Sequence, residues 1–272
     1  MDLPTRCLRW LHLICACLLL AAGAPAMAES YRFAVHPVLP AAQIETNFSP
    51  MLEHLAEQTG AEYELVLSPN YLPHWQALRR GDNPDFVYDG AHVIGYLVKH
   101  MGYIPLAKVD GLVSFSLVVG AESDVLEPIE LVGKRIATVA PPSLGAIALS
   151  DIFPNPMRQP MVVPVNDWVE AAEALLAGKA VAAMVPTPLL QRYPDLTLVA
   201  STEQYPHVAL VAAPKVPPLL RSKVVKAMLG LTESEAGQAV LQRVNISQYV
   251  EPEPRAYQPH ARMLEQLYGV RR

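Results

Sequence analysis

The sequence has 272 residues, a formal net charge of −5 and 51% hydrophobic residues. The small negative charge and the lack of a polybasic stretch argue against nucleic acid and the membrane surface as partners. All three cysteines (Cys7, Cys15 and Cys17) lie near the start of the chain. The chain after Cys17 therefore has no cysteine for a disulfide, for nucleophilic catalysis or for metal binding.

The first 28 residues predict a secretory signal peptide. Arg6 and Arg9 form a positive n-region, 11–22 is an apolar stretch too short to span a membrane, and Ala26-Met27-Ala28 is an A-x-A cleavage site. An uncleaved N-terminal anchor is the alternative. We expect cleavage near Ala28 and export of the remaining chain to the periplasm as a monomer.

From Tyr31 onward, strand and helix patterns alternate. The strands are predicted at 31–38, 63–67, 84–90, 103–109, 114–120, 136–140, 161–165, 180–185, 196–200 and 208–213. The helices are predicted at 46–59, 73–80, 91–100, from 143, and at 167–177, 223–231, 235–243 and 261–267. Single helices between strands are typical of βαβ units, so we expect mostly parallel sheets.

The strand–helix series begins twice, at Tyr31 and again at Lys134. There are more strands than one sheet comfortably holds, which favours two α/β lobes. We predict that the first lobe comprises 29–115 and 206–272 and that the second comprises 116–205. The C-terminal helices then return to the first lobe, and two strands cross between the lobes.

Five segments together resemble a known family. They are FAVHP, SPMLEHLAEQTG, NYLPHWQALRRGDNPDFVYDGAHVIGY, LEPIELVGKRIATVAPPSLGAIA and DWVEAAEALLAGKAVAAMV. In order and spacing they are similar to the periplasmic binding proteins for phosphonate, phosphite and phosphate. The resemblance implies a type II periplasmic binding fold, with two α/β lobes, a hinge and an interlobe cleft. It also implies that the protein captures a small oxyanion for an ABC importer and needs no cofactor.

The stretch around Ser143, Leu144 and Gly145 is the first candidate for ligand contact. A helix N-terminus leaves backbone N–H groups unpaired and attracts anions. In the family, a Ser/Thr-rich turn clasps the oxyanion at this point. This sequence departs from that pattern, because Ser143 has the only hydroxyl and Pro142 lacks an N–H. Ser143 can equally be a helix N-cap.

Six further residues are candidates because they lie at equivalent strand or helix ends: Tyr71, Tyr88, His92, Asn166, His207 and His36. Ligands of open α/β sheets bind at the carboxyl ends of strands. Tyr71 can instead be a rim aromatic, and Tyr88 can instead be a core residue. An unpaired Asp89 would repel an oxyanion, so we expect it to cap a helix or to bind an amine. Asp167 is predicted to be an N-cap.

Two other functions compete with anion transport. His36, His74, His92 and His207 could approach one cleft and bind zinc or copper, but their spacing matches no compact metal motif, and we predict no metal ligand. Some members of the family are instead receptors for a membrane sensor kinase, which use the same cleft. Catalysis is not expected, because the GxSxG, Walker, HExxH and GxGxxG motifs are all absent.

Overall fold

The computed structural model describes residues 29–270. The strands are β1 Ser30–Val35, β2 Glu62–Val66, β3 Phe86–Asp89, β4 Ile104–Val109, β5 Leu112–Val113, β6 Phe115–Gly120, β7 Arg135–Val139, β8 Met161–Val165, β9 Ala182–Pro186, β10 Leu196–Ser201, β11 Tyr205–Pro206, β12 Ala209–Ala212 and β13 Tyr249–Val250. The helices are α1 Ala41–Thr59, α2 Tyr71–Arg80, α3 Ala91–Met101, α4 Leu144–Ile152, α5 Trp168–Leu176, α6 Pro218–Leu229, α7 Glu235–Arg243, α8 Pro254–Tyr257 and α9 Ala261–Tyr268. The predicted signal peptide lies outside the described residues.

The strands form two main sheets. The six-stranded sheet has the order β13-β4-β12-β3-β1-β2, and the five-stranded sheet has the order β10-β6-β9-β7-β8. We call the first sheet with its helices lobe 1, and the second sheet with α4 and α5 lobe 2. In each sheet a parallel trio, β2-β1-β3 or β8-β7-β9, continues into antiparallel strands. The expectation of mostly parallel sheets is thus correct only for these trios.

The antiparallel strands follow from the two crossings of the chain. Strand β6 enters lobe 2 and pairs antiparallel with β9, and β12 returns to lobe 1 and pairs antiparallel with β3. Between the lobes, β5 and β11 pair as a two-stranded antiparallel ribbon. The predicted lobe boundaries remain a proposal, although Phe115, assigned by them to the first lobe, pairs with Pro186 in the second sheet.

Three helices begin earlier than the sequence pattern predicts: α2 by two residues, and α1 and α6 by five each. Helix α1 starts at Ala41 rather than Thr46 and continues through Pro50. An internal proline removes one helix hydrogen bond, but Phe48, Met51 and Leu55 bury their side chains on the same helix face. Burial of this apolar face compensates for the lost bond, so the helix is not broken.

Helix α6 starts at Pro218 rather than Lys223. Proline is well suited to the first turn of a helix, where its missing N–H has no intrahelical acceptor. No helix in residues 29–270 is long and apolar enough to cross a membrane.

Candidate ligand-binding cleft

A cavity of about 430 Å³ lies between the two lobes and the ribbon that joins them. Lobe 1 contributes His36, Tyr71 and Tyr88, and lobe 2 contributes Leu144, Trp168 and Arg192. The ribbon and the segment after it contribute Val113, Pro206 and His207. The volume lies within the range of small-molecule sites, and contributions from both lobes are typical of a cleft that closes on a ligand.

The fold brings the lobe 1 residues together at the carboxyl ends of β1 and β3. Because these strands are parallel neighbours, His36 after β1 and Asp89 at the end of β3 reach the same edge of the sheet. Tyr71 is the first residue of α2, whose N-cap Asn70 accepts a hydrogen bond from the Leu72 N–H at 3.1 Å. This cap fixes the start of α2 beside the two strand ends.

Asp89 is the centre of a buried hydrogen-bond network. Its Oδ2 accepts a bond from His74 Nε2 at 2.9 Å, and its Oδ1 accepts bonds from the Tyr71 hydroxyl at 3.3 Å and from the Gly90 N–H at 2.6 Å. Because Tyr71 gives its only proton to Asp89, its oxygen accepts from His36 Nδ1, 3.2 Å away. Asp89 therefore neither caps α3 through its side chain nor lies free for a ligand amine.

Burial and hydrogen bonding shift the pKa values of this network. Burial alone would raise the pKa of Asp89, but the hydrogen bond and charge of His74, followed by His36 and His92, lower it below the usual range. Burial lowers the pKa of His36 to about 4, although Asp89 opposes that shift. Burial also raises the pKa of Tyr71 well above its usual range, with Asp89 acting in the same direction. At neutral pH, His36 and Tyr71 are therefore uncharged.

Tyr88 faces the cavity with its ring rather than with a free hydroxyl. Its hydroxyl lies 3.0 Å from the Tyr249 hydroxyl, and both groups are buried. The Tyr88 ring meets His36 edge-on at a centroid distance of 5.8 Å and meets Phe48 at 5.3 Å. Tyr88 therefore contributes an aromatic ring to the wall of lobe 1, and its hydroxyl points into the protein.

On the lobe 2 side, Ser143 is an N-cap. Its hydroxyl donates to the Val139 carbonyl at 2.7 Å and accepts from the Ala146 N–H at 3.3 Å, and the residue is fully buried. Its own N–H donates to the Ala140 carbonyl at 3.1 Å. Among the described residues, the first-turn N–H groups of Leu144 and Gly145 are left as donors without an acceptor.

Gly145 is required by the packing of aromatic rings. A Cβ at this position would lie 2.8 Å from Cη2 of Trp168 and 3.1 Å from Cδ1 of Phe115. The two rings contact each other at a centroid distance of 5.3 Å. The space beside Gly145 is thus filled by Trp168, which lines the cavity.

His92 connects the lobes. It lies in the first turn of α3 in lobe 1, is fully buried, and its Nε2 donates to the Pro142 carbonyl of lobe 2 at 2.9 Å. A carbonyl only accepts, so the proton is on Nε2 and the lone pair on Nδ1, which is buried without a hydrogen-bond partner. Burial lowers the pKa of His92, with Asp89 opposing.

His207 and Arg192 supply donors at the cavity. Nδ1 of His207 accepts from the Val208 N–H at 2.8 Å, so the neutral ring has its proton on Nε2. Burial, with a contribution from the charge of Lys108, lowers the pKa of His207 to about 4. Arg192 ends the 3₁₀ turn Thr187–Arg192 and is exposed.

The structure brings only some of the nine predicted site residues to the cavity. Its lining includes His36, Tyr71, Tyr88, Leu144 and His207 but not Ser143, Gly145, His92 or Asn166. Asn166 is exposed and bonds Glu170 through its N–H and its side chain, while Asp167 caps α5 as predicted. Ligand contact by any of these residues remains a prediction.

Several cavity residues were not predicted, among them Phe115, Trp168 and Arg192. Trp168 directly follows the N-cap Asp167, so its position at a helix start could have indicated it. No comparable signal indicated Phe115 or Arg192.

The four histidines do not form a metal site. In the part of the chain that the structure describes, no three His, Cys, Asp or Glu side chains are placed to hold a metal ion. His36 and His74 bond to Tyr71 and Asp89, His92 bonds to Pro142, and His207 bonds to Val208. Each ring therefore has at least one nitrogen occupied by the protein.

Two α/β lobes that enclose a cavity at their connection define a solute-binding protein. A family model of the periplasmic substrate-binding proteins of phosphonate ABC transporters matches residues 33–257. The chain belongs to this family, as its sequence predicted. No curated protein is significantly similar to it.

Solved structures agree on the fold. PhnD1 from Prochlorococcus marinus in complex with methylphosphonate matches with a TM-score of 0.75 at 15% identity, covering 89% of this chain and 99% of that one. A binding protein component of an ABC phosphonate transporter from Pseudomonas aeruginosa matches with a TM-score of 0.72 at 13% identity, covering 87% of this chain and 85% of that one. A Xanthomonas citri protein bound to ATP matches with a TM-score of 0.71 at 13% identity, covering 89% of this chain and 99% of that one. The predicted two-lobe type II periplasmic binding fold is confirmed.

Proposed function

We propose that this protein captures an oxyanion in the cleft and delivers it to an ABC permease. The observation that carries the proposal is the 430 Å³ cavity, which residues of both lobes and of the ribbon line together. A ligand held there would contact both lobes, so it would stabilise their closed arrangement. Membership of a transport family and the methylphosphonate bound to PhnD1 support an oxyanion as the ligand.

Three kinds of donor would hold the anionic group. The N–H groups of Leu144 and Gly145 lie at the N-terminus of α4, where the helix dipole also attracts negative charge. Arg192 contributes a full positive charge, and His207 contributes its Nε2–H. Leu144, Arg192 and His207 all line the same cavity.

The proposal also includes the cellular location of the protein, its oligomeric state and its lack of catalysis. The chain works in the periplasm as a monomer, after cleavage of residues 1–28, and has no catalytic activity of its own. The transport family supports the periplasm and the lack of catalysis. Delivery to a permease is preferred over signalling to a sensor kinase, because the family is a transporter family. Stimulation of ATP hydrolysis by the reconstituted cognate permease would test this choice.

Binding can be measured by calorimetry with phosphate, phosphite and methylphosphonate on the protein purified from the periplasm. A ligand that binds only the folded state raises its stability by RT ln(1 + [L]/Kd), so melting temperatures give an independent measure. We expect at least one oxyanion to bind and to stabilise the protein. If no phosphate, phosphite or phosphonate of any size binds, the proposed function is wrong.

A further inference from the structure

Three polar side chains in the lobe 1 wall of the cavity, those of Tyr71, Tyr88 and His36, already have partners inside the protein. The Tyr71 hydroxyl donates to Asp89, the Tyr88 hydroxyl pairs with Tyr249, and His36 Nδ1 donates to Tyr71. A hydroxyl has one proton, so Tyr71 cannot also donate to a ligand without leaving Asp89 without this bond. These three side chains therefore offer a ligand the faces and edges of their rings, whereas the amides of Asn47 and Asn245 are the side-chain donors that lobe 1 adds at the edge of this surface.

The opposite wall is also apolar. Phe115, Trp168, Leu144 and Leu189 of lobe 2 line the cavity. Leu144 reaches across to lobe 1, because its Cδ2 would lie 3.8 Å from a Cβ placed on Gly90. A ligand between the lobes is thus covered by aromatic and aliphatic side chains on both sides, which favours an apolar group at this place.

The cavity contains little positive charge. Arg192 is the only Lys or Arg among the cavity residues that the structure describes. Burial keeps His36 and His207 neutral, with pKa values of about 4. Oδ1 of Asp89 lies 3.9 Å from Nδ1 of His36. The negative charge of Asp89 repels the charge of an anionic ligand, and it repels a dianion more than a monoanion. These charges match a ligand with one negative charge better than a dianion.

The cavity is also large for an inorganic anion. Phosphate or methylphosphonate occupies roughly the space of three water molecules, each of about 30 Å³. The cavity measures about 430 Å³. Such an anion would leave most of the apolar wall in contact with water, and burial of that wall would then contribute nothing to affinity.

We propose that the cavity takes an organic oxyanion with a single anionic group and an apolar body at least the size of a phenyl or hexyl group. This inference rests on the proposed function and narrows its ligand class. The anionic group lies near Arg192 and the start of α4, and the apolar body lies between the ring of Tyr88 and the rings of Phe115 and Trp168.

A calorimetric series on the periplasmically purified protein tests the apolar body. The ligands are inorganic phosphate, methylphosphonate, butylphosphonate, hexylphosphonate and phenylphosphonate, with the monomethyl ester of phenylphosphonate as a strict monoanion. Affinity is expected to rise about fourfold with each added methylene until the body fills the cavity. The monomethyl ester is expected to bind at least as tightly as phenylphosphonate itself.

Two variants test where the ligand parts lie. Leu189→Asn should weaken hexylphosphonate about tenfold and methylphosphonate much less, because only the longer body contacts this wall. Arg192→Gln should weaken every phosphonate by at least about tenfold, because it removes a charged donor. Arg158→Gln is the matched control, since it removes the same charge from an exposed site of lobe 2 outside the cavity. Melting temperatures verify that each variant folds.

The outcomes separate this inference from the proposed function. If phosphate or methylphosphonate binds as tightly as hexylphosphonate, the apolar body is wrong while oxyanion capture stands. If the monomethyl ester binds more than tenfold weaker than phenylphosphonate, the single charge is wrong. If neither phosphite nor any ligand of the series binds, oxyanion capture itself has failed.

Discussion

The two walls of the cleft are stabilised by different kinds of interaction. In lobe 1, the wall covers a buried polar network in which Asp89 accepts hydrogen bonds from His74, Tyr71 and Gly90. In lobe 2, the wall depends on shape, because Trp168 and Phe115 pack against a position that only glycine leaves open. One wall is held by satisfied polar groups and the other by close packing.

This difference predicts which substitutions destabilise each wall. Buried polar atoms are costly when a partner is removed, whereas a packed apolar surface is sensitive to added or lost volume. Substitutions in lobe 1 should therefore act mainly through unpaired atoms and protonation. Substitutions in lobe 2 should act through the position of Trp168 and hence through the size of the cavity.

The largest effect is expected for Asp89→Ala. The change leaves His74 Nε2, the Tyr71 hydroxyl and the Gly90 N–H without their acceptor in a fully buried place. Loss of one partner of a buried charged network typically costs about 3–5 kcal/mol. Urea unfolding should show a decrease of that size. Asp195→Ala, at an exposed site, is the control, and a loss below about 1 kcal/mol at Asp89 would contradict the network.

The second effect concerns pH. Burial lowers the folded-state pKa of His36 to about 4, whereas its unfolded-state pKa is about 6.5. The folded protein therefore binds a proton at His36 less readily than the unfolded chain, and stability decreases as pH falls from 6.5 toward 4. For His36 alone the loss at pH 5.5 is about 1 kcal/mol.

Burial shifts His207 in the same direction, so both histidines contribute to the acid sensitivity. Urea unfolding at several pH values should show the decrease. His36→Gln should remove its share of the pH slope, and the double variant with His207→Gln should flatten the slope further. An unchanged slope in His36→Gln would show that this histidine titrates normally in the folded state.

A smaller effect is expected for Gly145→Ala in the lobe 2 wall. A helical Gly→Ala change alone is favourable by about 1 kcal/mol. Here the new Cβ would lie 2.8 Å from the Trp168 ring, and overpacking costs about 1–3 kcal/mol. We expect the clash to outweigh the helix term, with a net loss of about 1 kcal/mol.

The Trp168→Leu background provides the control for this change. Without the large ring, Gly145→Ala should become neutral or stabilising, as its helix propensity alone predicts. Unfolding free energies of the four proteins complete a double-mutant cycle. The same loss in both backgrounds would show that Trp168 is not the cause.

Local signals in the sequence predicted many of the elements. Strand β8 and helix α7 match their predicted ranges, and α7 has Ser234 as its N-cap. The local sequence pattern did not predict helix bounds and short strands that depend on tertiary contacts. Burial of one face carries α1 through Pro50, and the two-residue strands β5, β11 and β13 exist only because a distant strand pairs with them.

Most of the predicted residues that line the cavity belong to lobe 1, and Leu144 is the predicted residue of lobe 2 that does so. Strand ends in lobe 1 pointed to His36 and Tyr88, because a parallel sheet collects its carboxyl ends at one edge, and the start of a helix pointed to Tyr71. In lobe 2, the start of a helix could have indicated Trp168. No local pattern indicates Phe115 or Arg192, because their place in the wall depends on how the two lobes meet. The network of Asp89 with His74 was also hidden, since a buried carboxylate and an exposed one look alike in sequence.

The smallest effect separates a helix cap from a ligand contact at Ser143. Its hydroxyl donates to Val139 and accepts from Ala146, so Ser143→Ala should lower stability by about 1 kcal/mol, as is typical for a lost N-cap. Because that proton is already given to a carbonyl, affinity for the best phosphonate should change by less than about threefold. Ser143→Thr keeps the hydroxyl and is the matched control for stability. Affinity is measured by calorimetry at a temperature where every variant is folded. If Ser143→Ala loses tenfold or more in affinity for the phosphonate, the Ser143 hydroxyl contacts the ligand.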